Sequence, residues 1–233
     1  MIDNRGVGSS TSPPPPYAIT QMAQDALEVV DIEMKWERFH VAGLSMGGMI
    51  SLELALKVPN RILSLSLLST HAGGTLAPMS GVTHILQNFR PGLPADKYAE
   101  FLIPILYSKK WLNQKYVDEH GTSNKLTNFE IVKQELVEAK QQDPPESFPG
   151  IMGQGVAILG HYISNERLAL LKDSKIPVLI MTGTKDKLIK YSNSTSLHKA
   201  LEAEQLIILP GAGHMIHREC YQQVNQALHE HFC

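Results

Sequence analysis

Residues 38–48 read Arg38-Phe39-His40-Val41-Ala42-Gly43-Leu44-Ser45-Met46-Gly47-Gly48. The run up to Leu44 is short and apolar, as expected of a strand buried in a sheet. Met46 to Val58 carries a helical pattern, and Pro59-Asn60 stops it. Ser45 therefore falls where a strand turns sharply into a helix. Next comes Arg61 to Thr70 (RILSLSLLST), again mostly apolar and read as a second strand. Strand, helix and strand in this order make a βαβ unit with a parallel sheet.

Working outward, Ser9 to Pro16 (SSTSPPPP) is a connector, because a proline run cannot occupy a helix interior. A helix is expected from Tyr17, with Ile19, Met22, Ala23, Leu27, Val30 and Ile32 or Met34 on its apolar face. Toward the C-terminus the rhythm returns. Glu166 to Lys172 reads as helix, Pro177 to Thr184 as strand, Ser192 to Ala203 as helix and Gln205 to Pro210 as strand. Glu219 to Phe232 reads as a terminal amphipathic helix. Between these halves the alternation breaks. Residues 71–165 carry Gly73-Gly74, scattered prolines, a helix near Asn128 to Gln141 and an apolar cluster of Tyr98, Phe101, Leu102, Ile105, Leu106 and Trp111. The predicted fold is α/β, a mostly parallel sheet with helices on both faces. Residues 1–70 and 166–233 form the core, and 71–165 a mainly helical cap inserted into it.

Composition bounds the function. The chain has 233 residues, enough for one domain with an insertion. Its net charge of −2 offers no basic excess to attract nucleic acid or an anionic membrane. The two cysteines, Cys220 and Cys233, lack zinc-ligand or redox-motif spacing, so neither a metal nor a cofactor is expected. Sparse cysteine suits a reducing, cytoplasmic compartment. No apolar run reaches the roughly 18–20 residues that span a bilayer, and the start, MIDNRGVGSS, has no signal-peptide apolar region.

Gly43-Leu44-Ser45-Met46-Gly47 places a hydroxyl on a tight turn whose helix N-terminus offers free N–H groups to a developing anion. A serine hydroxyl needs a base, and the base needs an orienting acid. Asp186 follows the strand PVLIM within Gly183-Thr184-Lys185-Asp186, where it also reads as a turn aspartate serving its own backbone. His214 follows QLIILP in the glycine-rich loop Gly211-Ala212-Gly213-His214, where a surface-loop histidine is the plainer reading. His217 and His71 compete for the role of base, without a preceding glycine loop in the right place. The chain order Ser45, Asp186, His214 is the one expected of α/β-hydrolases.

The chain resembles serine hydrolases of the α/β-hydrolase fold superfamily. Asp3-Asn4-Arg5-Gly6-Val7-Gly8-Ser9-Ser10 is similar to the D-x-R-G-x-G-x-S segment these proteins carry before the elbow strand. Phe39 to Gly48, Val178 to Ile189 and Gly211 to Met215 resemble their elbow, acid and histidine segments. The resemblance implies a Ser45–Asp186–His214 triad, Met46 N–H in the oxyanion hole, and hydrolysis of a small carboxylic ester or lactone through an acyl-enzyme. Epoxide hydrolases and haloalkane dehalogenases place aspartate at the elbow, so Ser45 argues against both. Carboxylesterases, enol-lactonases, C–C hydrolases and cofactor-free haloperoxidases remain. A non-catalytic or poorly active member that binds a small ligand or a partner is the alternative.

The resemblance also implies strands ahead of the D-x-R-G segment, including a His-Gly loop that supplies a second oxyanion donor. Met1 is then expected to be an internal methionine of a longer protein and the fold to be N-terminally truncated, with a stable minimal hydrolase as the alternative. Phe39 to Gly43 becomes an apolar sheet edge open to a partner or a second copy.

Overall fold

The computed structural model describes residues 2–75, 78, 79, 81, 83, 92–118, 121–142 and 148–233. Met1 and parts of the 71–165 segment, residues 84–91 and 143–147 among them, lie outside the described residues.

The first half runs α1 (Ile19–Val29), β1 (Phe39–Leu44), α2 (Met46–Lys57) and β2 (Ile62–Leu68). Then come α3 (Ala95–Leu106), α4 (Lys109–Leu112), a hairpin of β3 (Lys115–Val117) and β4 (Ser123–Thr127), α5 (Asn128–Gln142) and α6 (Phe148–Gly160). The second half contributes α7 (Asn165–Asp173), β5 (Val178–Gly183), α8 (Tyr191–Leu201), β6 (Gln205–Leu209), α9 (Ile216–Glu219) and α10 (Tyr221–Phe232).

Four strands form one sheet in the order β1-β2-β5-β6, every pair parallel. Leu65 of β2 is matched with Val41 of β1 and Val178 of β5. β5 is buried along its whole length, which explains its unbroken apolar run. Val178 and Ile180 enter a core built with α1, α2, α7 and α8. Leu179 and Met181 point the other way, toward Ile216, Val224 and Ala227 of α9 and α10. Helices therefore cover both faces. Each buried Leu, Ile, Val or Met side chain contributes about 1.5–3 kcal/mol of burial.

Several expectations shift. Ile32 and Met34 are exposed, at 64% and 45%. α1 passes into a π-helical turn over Val30–Met34, whose changed period rotates these side chains off the apolar face. β1 is not buried throughout, because among the described residues it pairs only with β2. Phe39 is buried while His40 and Ala42 are exposed. Between β2 and β5 the described residues form helices and the short β3–β4 hairpin. The last helix is two, interrupted at Cys220. The cluster in α3 also shifts by a position or two: Ala99, Ile103 and Tyr107, with Leu112 and Val132, are its buried members.

Candidate active site

Ser45 ends β1 with φ 55° and ψ −120°, a conformation that L-residues adopt at a cost of about 1–3 kcal/mol. Several bonds over-determine it. Ser45 N donates to Leu68 O at 2.9 Å, and Thr70 Oγ1 donates to Ser45 O at 2.7 Å. Gly48 N and Met49 N donate to the same carbonyl. Close packing explains two of the glycines. A Cβ on Gly43 would lie 2.3 Å from Gly47 O, and one on Gly48 would lie 2.6 Å from the Thr70 side chain. A Cβ on Gly47 would meet open space, so its own side of the turn is not crowded. Met46 opens α2, and its N–H has no carbonyl one turn earlier to bond.

Asp186 follows β5 and performs both roles suggested by its position. Oδ1 accepts from Leu188 N at 2.8 Å and Ile189 N at 2.9 Å, closing the turn. Oδ2 lies 2.7 Å from His214 Nδ1, with both side chains buried. A carboxylate accepts, so the neutral tautomer that fits this contact carries its proton on Nδ1 and leaves Nε2 as an acceptor. One backbone–backbone bond and one backbone–side-chain bond lock the two loops together. Lys185 N donates to Ala212 O, and Gly211 N donates to Thr184 Oγ1, both at 2.8 Å. A Cβ on Gly183 would lie 2.3 Å from Gly213 O.

Parallel strands put their carboxyl ends at one edge of the sheet, where ligands of open α/β sheets bind. Ser45 follows β1, Asp186 follows β5 and His214 follows β6, so all three sit at that edge. Asp186 and His214 are joined directly. The Ser45 hydroxyl has no hydrogen bond among the described residues. The competing histidines are engaged elsewhere. His71 Nδ1 accepts from Gly73 N at 2.8 Å. His217 lies in α9 and lines a cavity of about 330 Å³ with Trp111, Tyr116 and Tyr221, and that cavity does not include Ser45, Asp186 or His214.

Three contributors escaped the sequence: Thr70 beneath Ser45, and Ser108 and Glu219 beside His214. Ser108 and Glu219 are 111 residues apart, and no local spacing connects them. Among the described residues no group of three or more His, Cys, Asp or Glu could hold a metal ion. No helix of the described residues is long and apolar enough to cross a membrane.

A family model described as alpha/beta hydrolase fold matches residues 1–219. The dihydrolipoyllysine-residue acetyltransferase component of the acetoin cleaving system of Pseudomonas putida is 26% identical over 97% of this chain and 54% of its own. The chain thus spans about half the length of that relative. RutD of Acinetobacter baylyi, provisionally named a carbamate hydrolase, is 27% identical over 91% of this chain and 74% of its own. Among solved structures, an enol-lactonase from Burkholderia xenovorans LB400 superposes with a TM-score of 0.76 over 99% of this chain and 78% of that one. At 21% identity this likeness speaks for the fold.

Proposed function

The chain belongs to the α/β-hydrolase fold family, and from that premise we propose that it is a serine hydrolase of small carboxylic esters or lactones. The observation that carries the reading is the buried 2.7 Å Asp186–His214 pair, set at the same sheet edge as a serine held at positive φ.

Ser45 Oγ attacks the substrate carbonyl carbon, and its proton passes to His214 Nε2. Asp186 holds the imidazole in the tautomer that can receive it. The Met46 N–H, at the start of α2, faces the negative charge that develops on the carbonyl oxygen. One such donor is worth roughly 2.7–4 kcal/mol in the transition state. When the intermediate collapses, the alkoxide leaves with the proton from His214, and the acyl group stays on Ser45. Water repeats the cycle with His214 as base and releases the acid. In a lactone the leaving alcohol remains tethered to the acyl chain.

An aryl-ester assay and a fluorophosphonate label on parent and Ser45→Ala protein test this. The parent is expected to turn over and to be labelled, and Ser45→Ala to lose several orders of magnitude in rate. Equal rates in the two proteins would overturn the assignment. The side of β1 left unpaired among the described residues favours a second reading, a member that binds a partner or small ligand without turnover. A folded parent that leaves the fluorophosphonate unreacted would favour it.

A further inference from the structure

The carboxyl end of α3 touches both candidate catalytic loops. Its last carbonyls have no partners within the helix. Lys187 Nζ, one residue past Asp186, donates to Pro104 O at 2.8 Å. His214 N and Met215 N both donate to Leu106 O, at 2.8 and 3.1 Å. The histidine loop thus completes the end of a helix that lies more than a hundred residues earlier in the chain.

Glu219 closes this junction. Its carboxylate is half-buried, and the donors that meet it are all uncharged. It accepts from Ser108 N at 2.7 Å and Gly213 N at 3.1 Å through Oε1, and from Ser108 Oγ at 2.5 Å through Oε2. Ser108 is the cap of α4, and Gly213 immediately precedes His214. One carboxylate therefore ties the α3–α4 corner to the residue that aims the imidazole. The packing admits nothing larger: a Cβ on Gly213 would lie 2.6 Å from Glu219 Oε1 and 2.7 Å from Ser108 N.

We propose that Glu219 is a positioning residue for His214, bridging its loop to Ser108 so that the α3–α4 corner and the imidazole move as one piece. This rests on the reading of Ser45 and His214 as nucleophile and base. Its consequence is regulatory: whatever displaces the α3–α4 corner, substrate entry included, also displaces the base. Geometry, not charge, is the property required. A glutamine can keep the arrangement, its carbonyl accepting from Ser108 N and Gly213 N and its amide donating to Ser108 Oγ.

The test compares Glu219→Ala, Glu219→Gln and Ser108→Ala with the parent, well below their melting temperatures. Glu219→Ala is expected to slow aryl-ester kcat and fluorophosphonate labelling on the order of ten- to a hundredfold, with KM little changed. Glu219→Gln is expected to stay within about threefold of the parent, and Ser108→Ala combined with Glu219→Ala to be no slower than Glu219→Ala alone. Parent-level labelling in Glu219→Ala, or equal losses in the alanine and glutamine variants, would overturn the proposal. Should Glu219→Ala fail to fold, Ser108→Ala carries the test, with a several-fold loss in kcat expected and no loss overturning it. Amide hydrogen exchange at Gly213–Met215 separates this from the Ser45 reading. Faster exchange in Glu219→Ala in a parent that never labels sinks the Ser45 reading and keeps the bridge. Unchanged exchange in a parent that labels sinks the bridge.

Discussion

Asp186 divides its two oxygens, one accepting from the backbone of Leu188 and Ile189 and the other holding His214 Nδ1 at 2.7 Å. The turn and the imidazole are therefore oriented by one side chain. Asp186→Asn can keep its oxygen toward the turn, which turns the amide N–H₂ toward Nδ1 and forces the proton to Nε2. The expected result is a near-parent melting temperature with a loss of about 10⁴ in kcat, the size of the tautomer effect in a serine protease. Asp186→Ala should lose both properties. Thermal melts beside ester turnover check the split, and an active Asp186→Asn protein refutes it.

Acid should weaken the fold through His161. This side chain is buried, and burial, opposed by the Glu53 charge, brings its pKa down to about 4 from 6.5. Burial also lowers the pKa of His71, whose ring lies 6.3 Å away. A histidine with a depressed pKa takes up its proton more readily unfolded than folded. Its contribution is present above pH 6.5 and is lost as pH falls toward 4, by at most about 3 kcal/mol. Urea unfolding at pH 7 and pH 5 should show the parent losing more stability than His161→Phe. Parallel losses would contradict this.

Glu53 is buried on α2 and is held by two bonds from the half-exposed Arg167, at 2.6 and 3.0 Å. Arg167→Ala leaves that carboxylate without its counter-charge and should cost about 2–3 kcal/mol, less than for a fully buried pair. Adding Glu53→Leu should recover part of the loss, because the orphaned charge is then removed. Chemical denaturation of both variants reads the difference, and a double variant weaker than the single one would exclude it.

Among the described residues β1 has an unpaired edge, with Trp36, 50% exposed, just ahead of the strand and exposed Ala42 within it. Free N–H and C=O groups on a strand edge invite another strand. We expect the chain to self-associate through this edge and Ala42→Lys to suppress it. Sedimentation equilibrium over a wide concentration range decides the matter, and a parent that stays monomeric throughout rules it out.

Much of the site was legible in the residues. The strand–turn–helix around Ser45, and Asp186 and His214 at later strand ends, each follow from local pattern: period, breaker and glycine placement act over a few residues. Thr70, Ser108 and Glu219 were not legible, because each serves a group far along the chain. Ile32 and Met34 misled for a related reason. The apolar spacing continues as a helical period through positions where the backbone changes to a π turn.

By itself, then, the sequence determined the βα order, the parallel sheet and the identity of the three candidate residues, since these depend on short-range chemistry. Only the tertiary structure decided which histidine meets Asp186, that β1 lies at an edge, and that α3 ends against the His214 loop. Those outcomes depend on which unsatisfied backbone and carboxylate groups find each other when the elements pack, and no linear spacing records that pairing.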